Sequence, residues 1–135
     1  MAPRLPRRRQ GAQADVAETV ADTVAVASEQ LRLKAIAVFT ESGASARLVS
    51  KARPIAPIVA FSPNQDVRRR LALLWGVLPR RIKPIRTVDR LFREAEARLR
   101  REKLVSKGDI IAIVAGTPLG DHGTTNMLKF HVVGS

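Results

Sequence analysis

Three short apolar runs, LKAIAVFT at 33–40, PIVAF at 57–61 and IIAIVA at 110–115, constrain this chain more than any other feature. Each is too short for a buried helix and carries no polar alternation, the pattern of strands covered on both faces. Between them run segments with helical spacing. Val16, Val20, Val24, Ala27 and Leu31 recur along one helix, which is expected to begin near Ala14. Ser42-Gly43-Ala44-Ser45 turns into a second helix through Lys51, stopped by Arg53-Pro54. Ser62-Pro63-Asn64-Gln65 opens a third, with Ser62 as cap, Pro63 at the first helical position and Gln65 completing a capping box. Its core residues are Val67, Leu71 and Leu74, and Gly76 ends it. Ile82 to Ile85 reads as a further short strand, made irregular by Pro84. Thr87 caps a long helix over 87–103 that carries Val88, Leu91, Phe92, Ala95 and Leu99 on one face. Lys107-Gly108-Asp109 turns into the last apolar run. From Asn126 to Val133 apolar Leu128, Phe130 and Val132 alternate with Met127, Lys129 and His131, as in a half-exposed, antiparallel edge strand. Alternation of this kind predicts a largely parallel sheet with helices on both faces, in one domain over 14–135.

Bulk properties narrow the function classes. The chain has 135 residues, 45% of them hydrophobic and only 4% aromatic, so the core must be built from Val, Ile, Leu and Ala. No run approaches the roughly 18 to 20 apolar residues of a membrane span, and no membrane association is expected. The absence of cysteine excludes disulfides, thiolate metal sites and thiol nucleophiles. It is compatible with a reducing cytoplasm, the expected location. The formal charge of +12 invites a nucleic-acid reading. However, Arg4, Arg7, Arg8 and Arg9 sit in a proline-interrupted tail, 1–13, that is expected to be disordered. Later arginines are interleaved with acids, as in 93–98. Arg68, Arg69 and Arg70 spread around their helix, and Arg80, Arg81, Lys83 and Arg86 complete the densest basic region. A solvated basic surface is the ordinary reading, and with so few aromatics for base stacking nucleic acid is not expected as a partner.

The segments Lys34 to Ala46, Leu48 to Pro54, Ala56 to Ala60, Arg70 to Val77, Lys107-Gly108-Asp109 and Gly123 to Asn126, in this order and spacing, resemble the C-terminal domain of pyruvate kinase. The resemblance spans 16–133. It implies a three-layer α/β/α fold with a five-stranded mixed sheet of order 3-2-1-4-5, the last strand antiparallel. It also implies what is missing, because that family's chemistry resides in a (β/α)₈ barrel of about 250 residues that this length cannot hold. No catalytic residue, no metal and no cofactor is therefore expected. Met1 and its tail suggest a complete chain. In the family this domain makes subunit contacts, and in some members it binds a phosphorylated sugar, so a phosphorylated small molecule, a homo-oligomer or a pyruvate-kinase-like partner is implied.

Thr40, Ser42, Gly43 and Ser45 lie where the first strand's carboxyl end meets a helix start. Small residues, hydroxyls and free helix N–H groups suit an anion there. The resemblance carries Thr40, Ser42 and Ser45 across as phosphate-loop residues. Gly120, Gly123 and Thr124, in the loop 116–126, would form the opposite wall. The first and fourth strands, neighbours in that order and followed by helices on opposite sides, would open a crevice between them. The same small residues also make an ordinary helix cap, and Glu41 opposes an anion, so both readings stand at this point. Asp121 and His122 read as turn residues rather than a metal site. His131 is expected to face solvent and Trp75 to be buried against the sheet.

Overall fold

In the computed structural model, which describes residues 11–116 and 125–135, four helices and five strands alternate. They are α1 (Ala12–Gln30), β1 (Ala35–Phe39), α2 (Ala44–Lys51), β2 (Ile58–Ser62), α3 (Gln65–Leu71), β3 (Val77–Arg81), α4 (Val88–Arg101), β4 (Ile110–Ala115) and β5 (Met127–Val132). The strands form one sheet of order β3-β2-β1-β4-β5. β1, β2, β3 and β4 run parallel, with Ile36 opposite Ile58 and Ala112, and β5 pairs antiparallel to β4, with Ala112 opposite Phe130. The expected α/β/α fold and strand order are met. Helix α1 begins at Ala12, two residues inside the stretch read as tail.

Strand alternation sends successive β1 side chains to opposite layers. Ile36 and Val38 join α1, α2 and α3 through Val24, Val49, Val67 and Leu71. Ala35 and Ala37 face α4, where they meet Leu91, Ala95 and Leu99 together with Val59, Phe61, Ile111 and Ile113. Among the described residues, three helices thus cover one face and α4 covers the other. Burying each such large aliphatic side chain contributes about 1.5–3 kcal/mol relative to exposure.

Four local expectations are corrected. The buried stripe of α1 is Ala17, Ala21, Val24 and Ala27, whereas Val16 and Leu31 are 44% and 40% exposed. Alanines let the helix sit close to its neighbours, and the bulkier valine at 16 is turned outward. The third strand is Val77–Arg81, not 82–85. Pro79 within it is tolerated because β3 is an edge strand, where half the N–H groups point away from any partner. Ile82 is buried under α4 as part of the connection, which gave it the look of a strand residue. Asn64, not Ser62, caps α3, its side chain accepting from the Val67 N–H at 3.1 Å. Ser62 still belongs to β2, opposite Arg81. Trp75 is 48% exposed, with the Arg53 guanidinium 4.8 Å from its ring centroid, a cation–π contact at the surface rather than a buried ring. Thr87 does cap α4, accepting from the Arg90 N–H at 3.3 Å.

Candidate anion-binding site

The turn that leaves β1 is built by its own hydroxyls. The Thr40 Oγ1 accepts the Gly43 N–H at 2.8 Å, and the Ser42 Oγ accepts the Ala44 N–H at 3.2 Å. Gly43 stands at φ +93°, in the left-handed region that glycine enters without steric cost. A Cβ there would lie 3.3 Å from Val67 Cγ1 and 3.4 Å from Leu71 Cδ2, so the glycine also lets the turn lie down on α3. Thr40 itself is anchored to β2 by its N–H, which donates to the Phe61 carbonyl at 3.0 Å.

Ser45 opens the first turn of α2, is buried, and its Oγ is hydrogen-bonded to the Thr125 Oγ1. That contact joins the turn after β1 to the end of the segment linking β4 to β5. Thr125 is 2% exposed, and the neighbouring Asn126 donates its N–H to the Ala115 carbonyl at 3.2 Å. The structure therefore brings Thr40, Ser42, Gly43 and Ser45 together and adds Thr125. Thr125 lay inside a quoted motif, but its pairing depends on strand adjacency that a sequence pattern does not display. Gly120, Gly123 and Thr124, with Asp121 and His122, lie outside the described residues.

This arrangement sits at the carboxyl ends of β1 and β4, which are neighbours in the sheet. The helix that precedes β4, α4, lies on the face opposite α2, and the segment that follows β4 lies largely outside the described residues. The Gly43 and Ala44 N–H groups are taken by Thr40 and Ser42, which leaves those of Ser45 and Ala46 as the first-turn donors with no acceptor within the helix, at its positive dipole end. Ser42 is exposed with its lone pair occupied by Ala44, which leaves its O–H to donate outward. Half-buried Glu41 is the one carboxylate on the turn.

A second polar constellation was missed at the far side of the molecule. His131, expected in solvent, is only 16% exposed, and its Nε2 lies 2.7 Å from Glu96 Oε1 on α4. The same oxygen accepts the Gly134 N–H at 2.9 Å, and Arg100 lies 3.6 Å from Oε2. The Gly134 N–H, then the His131 side chain, hold the Glu96 carboxyl below its ordinary value of 4.5. Among the described residues no group of three or more His, Cys, Asp or Glu side chains is placed to hold a metal ion. No helix there is long and apolar enough to cross a membrane.

The open mixed sheet of order β3-β2-β1-β4-β5, with helices on both faces and a glycine- and hydroxyl-rich turn at the carboxyl end of its central strand, defines a three-layer α/β/α domain. Comparison with known proteins is more specific. Residues 18–131 match the family described as pyruvate kinase, alpha/beta domain. The pyruvate kinase of Staphylococcus saprophyticus is 39% identical over 130 residues, and that of Geobacillus stearothermophilus 37% over 129, each alignment covering 96% of this chain. The chain spans 22% of the length of each. A crystal structure of a pyruvate kinase from Cryptosporidium parvum matches with a TM-score of 0.79 at 26% identity, over 96% of this chain and 24% of that one. The chain belongs to the pyruvate kinase C-terminal α/β domain family.

Proposed function

We propose that this chain is a non-catalytic regulatory module of the pyruvate kinase type, which binds a phosphorylated metabolite at the turn 40–45. The observation that carries the reading is the Ser45–Thr125 hydrogen bond, because it ties the α2 N-terminus to the β4–β5 connection and so frames a two-walled site. Ser42 and the first-turn N–H groups of α2 that the turn's own hydroxyls leave free would grip the phosphate; Gly120, Gly123 and Thr124, its further contacts by the resemblance, lie outside the described residues. Phosphoryl transfer would require a barrel supplied by another chain or another part of a longer one. The expected setting is the cytoplasm.

A second reading, an assembly module with no metabolite, draws support from β5. Phe130 and Val132 are 41% and 45% exposed on a strand whose outer edge has no partner strand among the described residues. Helix α4 does not add to that surface, since Leu91, Ala95 and Leu99 are turned into the core.

Thermal unfolding against sugar phosphates, nucleotides and inorganic phosphate separates the two. Ligand at about 100 times its Kd stabilises the native state by about 2.7 kcal/mol. A rise in Tm produced by one phosphorylated compound and removed by Ser42→Ala/Ser45→Ala supports the regulatory module. No rise at millimolar ligand, with a concentration-dependent Tm, supports the assembly module.

A further inference from the structure

A strongly basic feature lies on the other face of the sheet, against α4. Arg90, Glu94, Arg98 and Arg101 fall at i, i+4, i+8 and i+11, one side of the helix. They face the segment 81–85, and together they line an open groove of about 450 Å³. At 1.5 Å per residue, the stripe from Arg90 to Arg101 is roughly 16 Å long. Five cations line the groove (Arg81 and Lys83 complete the set) against one carboxylate, Glu94.

Two details set this groove apart from a merely solvated basic surface. Arg98 is held by neutral groups: its Nη1 donates to the Arg81 carbonyl at 2.8 Å, and its guanidinium lies 5.3 Å from the Phe61 ring centroid. Among the described residues its position is thus fixed without an ion pair to a carboxylate. The floor, meanwhile, is apolar, formed by buried Ile82 with Pro84 and Ile85. Beyond Arg81 a second groove of about 420 Å³ lies past the β3 edge, lined by Arg68, Arg69 and Arg80, of which Arg80 is already paired with Glu102 at 2.8 Å. Arg68 and Arg69, two of the three α3 arginines that look scattered on a helical wheel, are brought together here beside β3.

We propose that this track binds the phosphate backbone of single-stranded nucleic acid, without regard to sequence. A compact phosphate ligand would be met by converging donors, whereas these cations are strung out along a helix and across a strand. A narrow groove with an apolar floor accommodates sugars and bases of one strand while its basic rim meets the phosphates. With few aromatics, affinity comes from the backbone, and it must fall steeply with salt. From the sequence, nucleic acid is disfavoured because the arginines are interleaved with acids or spread around their helix and aromatics are few; the groove itself depends on α4 lying against the segment 81–85.

The test is fluorescence anisotropy of the full chain with an end-labelled oligothymidylate of about twenty nucleotides, between about 50 and 200 mM salt. Five phosphate contacts at about 0.7 each give a logarithmic slope near −3.5, a loss of about a hundred-fold in affinity over that range. Arg90→Ala/Arg101→Ala should flatten the slope by about 1.4, and Glu94→Lys should steepen it by about 0.7. Arg47→Ala/Lys51→Ala, on the exposed side of α2, removes the same charge elsewhere and should leave the slope unchanged. All three are surface substitutions, and circular dichroism confirms their folding. Equal flattening by the α2 pair would reduce the effect to net charge and overturn the proposal. So would tighter binding of a duplex, or displacement of the oligonucleotide by equimolar inorganic triphosphate. Loss of oligonucleotide binding in Ser42→Ala/Ser45→Ala would move it to the β1–α2 turn and overturn it too. Retention there, whatever that variant does to metabolite binding, keeps this inference separate from the proposed function.

Discussion

The Glu96 carboxylate on α4 and the His131 imidazole on β5 meet at 2.7 Å, and the same carboxylate oxygen holds the Gly134 N–H at 2.9 Å. One side chain thereby fixes the last strand and the residues after it to α4, the only helix on that face among the described residues. Lys129, two residues earlier on β5, reinforces the link with its Nζ 4.6 Å from the Phe92 ring centroid. Hydrogen bonds to a charged group contribute about 1.5–3 kcal/mol. Glu96→Ala is expected to destabilise the chain by about that amount in urea unfolding, with His131→Ala costing less because the Gly134 contact survives.

The pH dependence follows from the direction of the Glu96 shift. Its folded pKa lies below the ordinary 4.5, so between the two values the unfolded chain binds more protons than the native one. The stabilisation is fully present above about pH 4.5 and is lost as pH falls through the lower, folded value. The stability gap between the wild-type chain and Glu96→Gln should therefore be constant down to the ordinary carboxylate range and shrink below it. A gap that widens on acidification would contradict the assignment.

Gly43→Ala tests the turn. A side chain in the left-handed region costs about 1–2 kcal/mol, and the added methyl presses on Val67 and Leu71. We expect a lower denaturation midpoint with an unchanged m-value, and weakened binding of any anion that uses the α2 N-terminus.

Ser45 and Thr125 should be energetically coupled across 80 positions of sequence. A double-mutant cycle with Ser45→Ala and Thr125→Val is expected to return a coupling of about 0.5–1.5 kcal/mol. Additivity would show that the two loops behave independently.

Trp75 is the single tryptophan, and it reports on one contact. Arg53→Ala removes the guanidinium from its ring and should alter its fluorescence while changing stability by no more than about 1 kcal/mol, the scale of an exposed cation–π pair.

Much of the fold was legible because burial on both faces leaves an unmistakable mark. β1, β2 and β4 are continuous apolar runs, and they became the three inner strands. β3 escaped because an edge strand need not be apolar: in VLPRR only Val77 is buried, so the eye moved on to Ile82. Ile82 is buried by α4 rather than by strand pairing, and periodicity does not separate the two. The face of α1 was misjudged for a related reason, since a Val-rich stripe looks more like core than the Ala stripe that packs closer. At the candidate site, Thr40 to Ser45 could be read from residue type and position alone. The Thr125 partner, the His131–Glu96 pair and the basic track could not, since each joins segments brought together only by the sheet.

The crossover from β3 through α4 to β4 has a consequence for the order in which the chain acquires structure. While it is being synthesised, α1 to β3 can assemble as three strands with helices over one face. Ala35, Ala37, Val59 and Phe61 then lie bare on the reverse until α4 and β4 emerge. The nascent half-domain thus passes through a sticky stage, with an open flank on β1 where β4 will pair. Truncation before residue 88, which removes α4 with β4 and β5, is expected to leave a species that aggregates or recruits chaperones, so the second half of this domain acts as the lid over the first.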